Sequence, residues 1–376
     1  MSRPEAQGLS VIIPVAGRLK LIEALLRSVQ SARLALTAPC EVLLLDNSPP
    51  GERETMQALA EAHDAVYLPG SDNLSAKRNA GLRAARYGVV LFLDSDCTIE
   101  PDLLAEHYRL FADPAVAGCL GVLRFQGAET FAWRAVARTS ILDCFSLPDR
   151  QRCASWGPTA NLSFRRAALL SVGGFDETFS RPGGEDVDLG FRLSDAGLSI
   201  VCNPLAIAYH TRQTWSSFGQ IWRRFLTYGQ ADAVLIRKHP ARTVWDLPTP
   251  AHMFLMVAVL ALGAAVVGER AWLLAMPFAW AALMLALYSQ LALRRARERA
   301  TVGALIEQVT ALIFLSALDL GRLSAAAVGH WPGLYRRVLF FDEQQVADWP
   351  DVATSSLAGV VALFVVLLGM TIGLAR

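Results

Sequence analysis

Apolar runs of strand length alternate with amphipathic stretches of helical length through the first hundred residues. Leu9 to Val15, Val42 to Leu45, Val66 to Leu68 and Val89 to Leu93 are the apolar runs. Unbroken runs of this kind fit strands buried on both faces. Amphipathic stretches follow Arg18, cover Arg53 to His63 and run from about Leu74 to Tyr87, and Pro101 opens a further helix. The alternation predicts an α/β architecture, a mostly parallel sheet flanked by helices. Two of the runs end in acid, Leu45 in Asp46 and Leu93 in Asp94-Ser95-Asp96. Ligands of open α/β sheets sit beyond the carboxyl ends of the strands. Two carboxylates one residue apart at such an end suit Mg²⁺ or Mn²⁺ carried by a diphosphate, because these ions take few protein ligands and complete their shell with water and phosphate oxygens. No Gly-x-Gly-x-x-Gly follows the first run, which argues against a dinucleotide cofactor.

The pattern changes after residue 246. Residues 247–268, 271–293 and 352–375 contain no Asp, Glu, Lys or Arg, and each stretch is long enough to span a hydrocarbon core of about 30 Å as a helix. Arg294, Arg295, Arg297 and Arg299 follow the second stretch, so the positive-inside rule turns that end to the cytoplasm. The short Glu269-Arg270 turn then leaves residues 1–246 cytoplasmic, and no apolar signal precedes the first strand. The expectation is a multi-pass protein of the plasma (inner) membrane. Residues 301–329 differ, since Glu307, Gln308, Asp319 and Arg322 fall on one side of a helix. Such a helix lies in the bilayer interface or crosses with its polar stripe against other helices. Keeping Arg336 and Arg337 cytoplasmic favours three spans over four.

Charge and cysteine add little. A net charge of +1 without a long basic block gives no reason to expect nucleic acid. The six cysteines show no metal-binding spacing and read as reduced packing residues. Between Phe125 and Gly157 the periodicity fades, and Phe131, Trp133 and Trp156 stand among turn residues. This stretch is either part of an acceptor-binding region or ordinary loop packing.

Four segments occur in order: Val11-Ile12-Ile13-Pro14-Val15; Leu44-Leu45-Asp46-Asn47-Ser48; Asn73 to Gly81 leading to Asp94-Ser95-Asp96; and Gly173-Gly174-Phe175-Asp176 followed by Gly184-Glu185-Asp186. Together they resemble the family 2 glycosyltransferases of GT-A fold, over about residues 9–215. The resemblance implies that Pro14, Val15, Asp46 and Arg78 hold the nucleotide of a nucleotide-sugar donor, with Lys77 standing where the family often has Ala. It places Asp94 on the ribose side and gives Asp96 and His210 a divalent metal. Asp186, paired with Glu185, becomes the general base of an inverting transfer, although the same two carboxylates also suit a helix N-terminus. The acceptor, a saccharide or a lipid-linked molecule, is expected near Trp156, Asn161 and Gly184.

The chain departs from polymer-threading relatives. Their Gln-x-x-Arg-Trp signature is only echoed in Gln220-Ile221-Trp222-Arg223-Arg224, which points to a non-processive enzyme. Trp215, Phe218, Trp222 and Phe225 form an apolar stripe suited to a bilayer surface or to packing on the catalytic domain. The expected organisation is a cytoplasmic catalytic domain at 1–214, an amphipathic interfacial segment at 215–246 and a membrane region at 247–376. Alternatives are transfer to a polyprenyl phosphate, and an inactive membrane-anchored module that only binds nucleotide sugars.

Overall fold

The computed structural model describes residues 6–139, 141–245, 301–334 and 336–340, with scattered residues between 257 and 282. The chain divides into two compact units, residues 1–133 with 140–220, and residues 134–139 with 221–376. The expected spans at 247–268 and 271–293 lie mostly outside the described residues, and the one at 352–375 lies wholly outside them.

In the first unit the apolar runs become the strands β1 (Ala6–Val15), β2 (Cys40–Asp46), β3 (Val66–Pro69) and β4 (Tyr87–Leu93), linked by helices α1 (Leu19–Arg33), α2 (Pro50–Ala62) and α3 (Leu74–Ala84). These strands pair in parallel in the order β3-β2-β1-β4. Leu9, Val11, Ile12, Ile13 and Val15 are all fully buried. Burial of both strand faces is what their unbroken apolar sequence requires, because helices cover the two sides. Gly81 of α3 lies so close to β1 that a Cβ there would stand 2.5 Å from Ile12 Cγ2.

Beyond β4 the sheet is mixed. The following elements are β5 (Cys97–Ile99), α4 (Leu103–Leu110), β6 (Val116–Gln126), α5 (Phe131–Ala137), β7 (Cys153–Ala154), β8 (Asn161–Arg165), α6 (Arg166–Ser171), α7 (Glu185–Asp195) and β9 (Ser199–Thr211). Strand β8 enters antiparallel between β4 and β6, β9 runs parallel to β6, and β5 and β7 pair antiparallel with β9. The expectation of a mostly parallel sheet therefore holds for the first four strands and gives way beyond β4, where β8 runs antiparallel to both of its neighbours. Among these later strands a buried polar cluster forms. His107 Nε2 donates to Asn161 Oδ1 at 2.8 Å, its Nδ1 accepts from Ser163 Oγ at 2.8 Å, and Asn161 Nδ2 donates to the carbonyls of Val122 and Ala206 at 3.0 Å. Burial pushes the His107 imidazolium down to about 4, so the ring is neutral.

The second unit contains α8 (Phe218–Lys238), apart from its first turn, together with β10 (Thr243–Trp245), α9 (Val302–Ala327) and β11 (Arg336–Val338). Helix α9 is the one described helix long and apolar enough to cross a membrane by length and composition. Gly229 of α8 abuts the Leu318 carbonyl, and Gly321 of α9 abuts the Leu226 carbonyl, so no side chain fits at either place. Small residues permit this close approach of two helices. The polar stripe of α9 is turned onto protein: Glu307 pairs with Arg134 at 2.5 Å and Arg138 at 3.0 Å, and Arg322 pairs with Asp232 at 2.7 Å. The aromatic stripe near 215–225 is also divided. Trp215 is buried in a short turn before α8, whereas Phe225 packs on Phe314 of α9 with ring centroids 5.7 Å apart.

Replacing Asn161 with Ala leaves His107 and two buried carbonyls short of partners. We expect a loss of about 2–4 kcal/mol of unfolding free energy, measured by urea denaturation.

Candidate active site

The parallel strands bring their carboxyl ends to one edge, with Val15 opposite Asp46 in register. The strand order reverses direction between β1 and β4, the topological switch point at which open α/β sheets bind ligands. Asp46 is buried, and its carboxylate accepts from Ser48 N at 2.8 Å, from Ser48 Oγ and from Tyr67 OH at 3.0 Å. Lys77 reaches across to the same corner, donating to the Val15 carbonyl at 2.8 Å and to Asn47 Oδ1. Burial draws its ammonium down to about 8, while the charges of Asp46 and Asp72 work the other way.

Arg78, one residue on, faces the end of β4. Its side chain is 3% exposed, donates from Nη1 to Glu185 Oε1 at 2.7 Å and from Nη2 to Asp94 Oδ1 at 3.5 Å, and lies over the Phe175 ring. Glu185 Oε2 also accepts from Gly183 N at 2.6 Å. Gly184 precedes α7 with φ 86°, a backbone state that side chains disfavour, and so turns the chain into the helix at this point. Asp186 is half-buried in the first turn, its Oδ1 accepting from Val187 N at 2.9 Å. Desolvation, then the charge of Glu185, raises its carboxyl to about 7 against the pull of Arg78. Desolvation likewise raises Asp94.

His210 reaches the site through register, since β5 pairs Cys97 with His210 and Thr211 N donates to the Asp96 carbonyl at 3.0 Å. Its Nδ1 lies 3.1 Å from the Thr211 carbonyl and must carry the ring proton there. In the neutral ring that leaves a lone pair on Nε2, 3.3 Å from Asp96 Oδ1. Two facing lone pairs need a proton or a cation between them. Asp96, Cys97 and His210 offer ligand atoms within 4.8 Å of one another. Burial, then the charges of Asp94 and Asp96, pushes the Cys97 thiol well up, so in the metal-free site it stays neutral. The remaining pair, one carboxylate and one imidazole, fits Mn²⁺ better than Mg²⁺.

Most of the residues singled out by sequence therefore meet at one edge: Val15 and Asp46 at one corner, and Asp94, Asp96, Arg78, Glu185, Asp186 and His210 around the end of β4. Pro14 sits one residue inside β1, opposite Leu45. The acceptor residues fare differently. Asn161 is fully buried with its amide committed to the sheet, and Trp156 packs behind α7, its Cβ against Gly190. A short helix at Asp143–Asp149 places Cys144 where the charge of Asp186, after burial, raises its thiol. Sequence reasoning passed over Arg18, whose Nη1 donates to Asp96 Oδ2 at 3.0 Å. In the sequence only its place three residues after β1, in a turn carrying Gly17, sets it apart, and that is an ordinary position for an arginine.

Residues 10–171 match Glycosyl transferase family 2, and residues 151–214 match the family described as N-terminal domain of galactosyltransferase. A pre-mycofactocin glycosyltransferase of Mycobacterium tuberculosis is 30% identical over 251 residues, covering 64% of this chain and 50% of the relative. A validoxylamine A glucosyltransferase of Streptomyces hygroscopicus is 26% identical, covering 55% and 54%. The chain thus spans about half the length of these relatives. Glycosyltransferase AglE of Haloferax volcanii is 26% identical, covering 65% of this chain and 82% of the relative. Among solved structures, a mannosyltransferase from Pyrobaculum calidifontis in complex with GDP-Man and Mn²⁺ shares the fold, with TM-score 0.51, 19% identity and coverage of 84% and 89%.

Asp186 has a testable effect on stability. A carboxyl that folding raises from 3.8 to about 7 holds its proton more tightly when folded. Its contribution is complete below pH ~4 and lost as pH rises through ~7. Asp186→Asn should therefore melt above the wild type at pH 8 and close to it at pH 4, measured by thermal unfolding in the absence of metal.

Proposed function

We propose, from the match of residues 10–171 to glycosyl transferase family 2, that the chain is an inverting, metal-dependent glycosyltransferase moving a sugar from a nucleotide-sugar donor to a hydroxyl acceptor. The observation that carries this reading is the meeting of Asp94, Asp96 and His210 with Glu185 and Asp186 around Arg78 at the strand edge. Asp46, Val15 and Lys77 form the corner for the nucleobase, and Asp94 lies toward the ribose. Asp96 and His210 would hold Mn²⁺, which supplies positive charge where the departing diphosphate becomes anionic. Glu185, fixed by Arg78 and the Gly183 amide, orients the first turn of α7. Asp186 then takes the proton of the acceptor hydroxyl as that oxygen attacks the anomeric carbon. A carboxyl near 7 is a stronger base than an ordinary aspartate, yet is substantially ionised at neutral pH.

The acceptor is proposed to be a saccharide, lipid-linked or close to a bilayer. Support for the bilayer comes from helix α9 and the charge-free stretches before and after it. The arginines at 294–299 favour a multi-pass arrangement with the catalytic domain in the cytoplasm. An acceptor that is already a phosphate anion, as in a polyprenyl phosphate, would meet Glu185 and Asp186 with like charge, so the hydroxyl acceptor takes precedence.

Sugar-nucleotide turnover by the full chain tests the assignment. Asp186→Asn should lower kcat by about 10²–10⁴-fold while nucleoside diphosphate binding persists, and the wild-type rate should fall on the acid side of pH ~7. Asp96→Ala and chelation of the metal should each abolish turnover. Wild-type activity in Asp96→Ala would remove the metal assignment. Retained activity in Asp186→Asn would favour the phosphate acceptor.

A further inference from the structure

Both oxygens of the Asp96 carboxylate face a nitrogen. Arg18 Nη1 holds Oδ2 at 3.0 Å and His210 Nε2 faces Oδ1 at 3.3 Å. The two nitrogens are not equivalent. His210 is 8% exposed and fixed by its strand, whereas the Arg18 side chain is 45% exposed and sits on the turn leaving β1. The backbone of that turn is pinned. Gly17 N donates to Ser48 Oγ at 2.7 Å, and Gly17 and Arg18 both take left-handed conformations, with φ 66° and 65°. The guanidinium is therefore a long, movable cation on a fixed base, aimed at the carboxylate assigned to the metal.

Resting on the glycosyltransferase reading above, we infer that Arg18 is a positioning residue that exchanges partners. Without ligands it neutralises Asp96, and when metal and donor diphosphate enter it moves from the carboxylate to the phosphates. A divalent cation on Asp96 brings like charge beside the guanidinium and expels it. The diphosphate carried by the same cation offers a planar fork of N–H donors the partner it matches best. Metal alone must displace Arg18 into water, while metal with diphosphate gives it a new partner. Arg18 thus couples the two ligands: each raises the affinity for the other by the same factor. Loss of the guanidinium should make metal bind more readily by itself and less cooperatively with nucleotide. A residue that merely stabilised the turn would do neither.

The test uses the full chain in detergent micelles, with Mn²⁺ binding followed by electron paramagnetic resonance alone and with saturating UDP or GDP. In Arg18→Gln, Mn²⁺ alone should bind at least about fivefold more tightly than in the wild type, and the tightening caused by nucleotide should shrink by about tenfold, within the usual span of coupling between sites. Arg18→Lys keeps the charge without the fork and should fall between the two. Thermal unfolding of each variant checks that the fold is retained. Unchanged or weaker binding of Mn²⁺ alone in Arg18→Gln overturns the exchange, as does tighter binding with undiminished coupling. A wild type that binds Mn²⁺ but neither nucleotide would instead overturn the reading beneath it, and the phosphate half of the exchange with it.

Discussion

The buried Arg78 guanidinium is the contact on which the site depends. It sits on α3 and reaches Asp94 after β4 and Glu185 at the start of α7, joining segments more than a hundred residues apart in sequence. Isolated, either carboxylate would be costly to bury, and removal of one member of such a group strands the other charges. With the guanidinium between them, two acids can be held near a third, Asp186, whose carboxyl is raised by desolvation and then by the charge of Glu185. One cation thus holds two of the acids by direct contact beside a neighbour able to exchange a proton near neutrality.

The sequence made the framework legible and left the long-range pairing obscure. Strands β1, β2 and β4 could be read because burial on both faces demands apolar residues throughout, and the acids after β2 and β4 follow directly from where those runs stop. Asp186 at a helix start was equally visible, through Gly184 before it and the apolar positions after it. The meeting of His210 with Asp96 was not, since it depends on a three-residue strand, Cys97–Ile99, pairing antiparallel with β9. No periodicity marks so short an element. Arg18 was missed because an arginine after a strand is ordinary, and only coordinates reveal the carboxylate it faces. Asn161 misled for the opposite reason. A polar residue near the expected acceptor region turned out to serve the sheet, where its amide joins His107 to two carbonyls.

In the second unit the same logic applies to charge instead of hydrophobicity. Helix α9 is long and apolar yet carries charged positions along one side. Glu307 finds counter-ions in Arg134 and Arg138, and Arg322 finds one in Asp232, all on neighbouring segments. Glycines at the α8 and α9 contact do the complementary work, letting the backbones come close enough for Arg322 to reach Asp232.

Asp186 and His210 lie near the two ends of one helix-and-strand hairpin, α7 followed by β9, whose bend at Ala196-Gly197-Leu198 is made possible by the positive φ of Gly197. Eleven helical residues set that bend roughly 16 Å from the first turn of α7. The tip is consequently a permissive place to lengthen the polypeptide, because extra residues there would bulge into solvent while both chemical groups kept their anchorage.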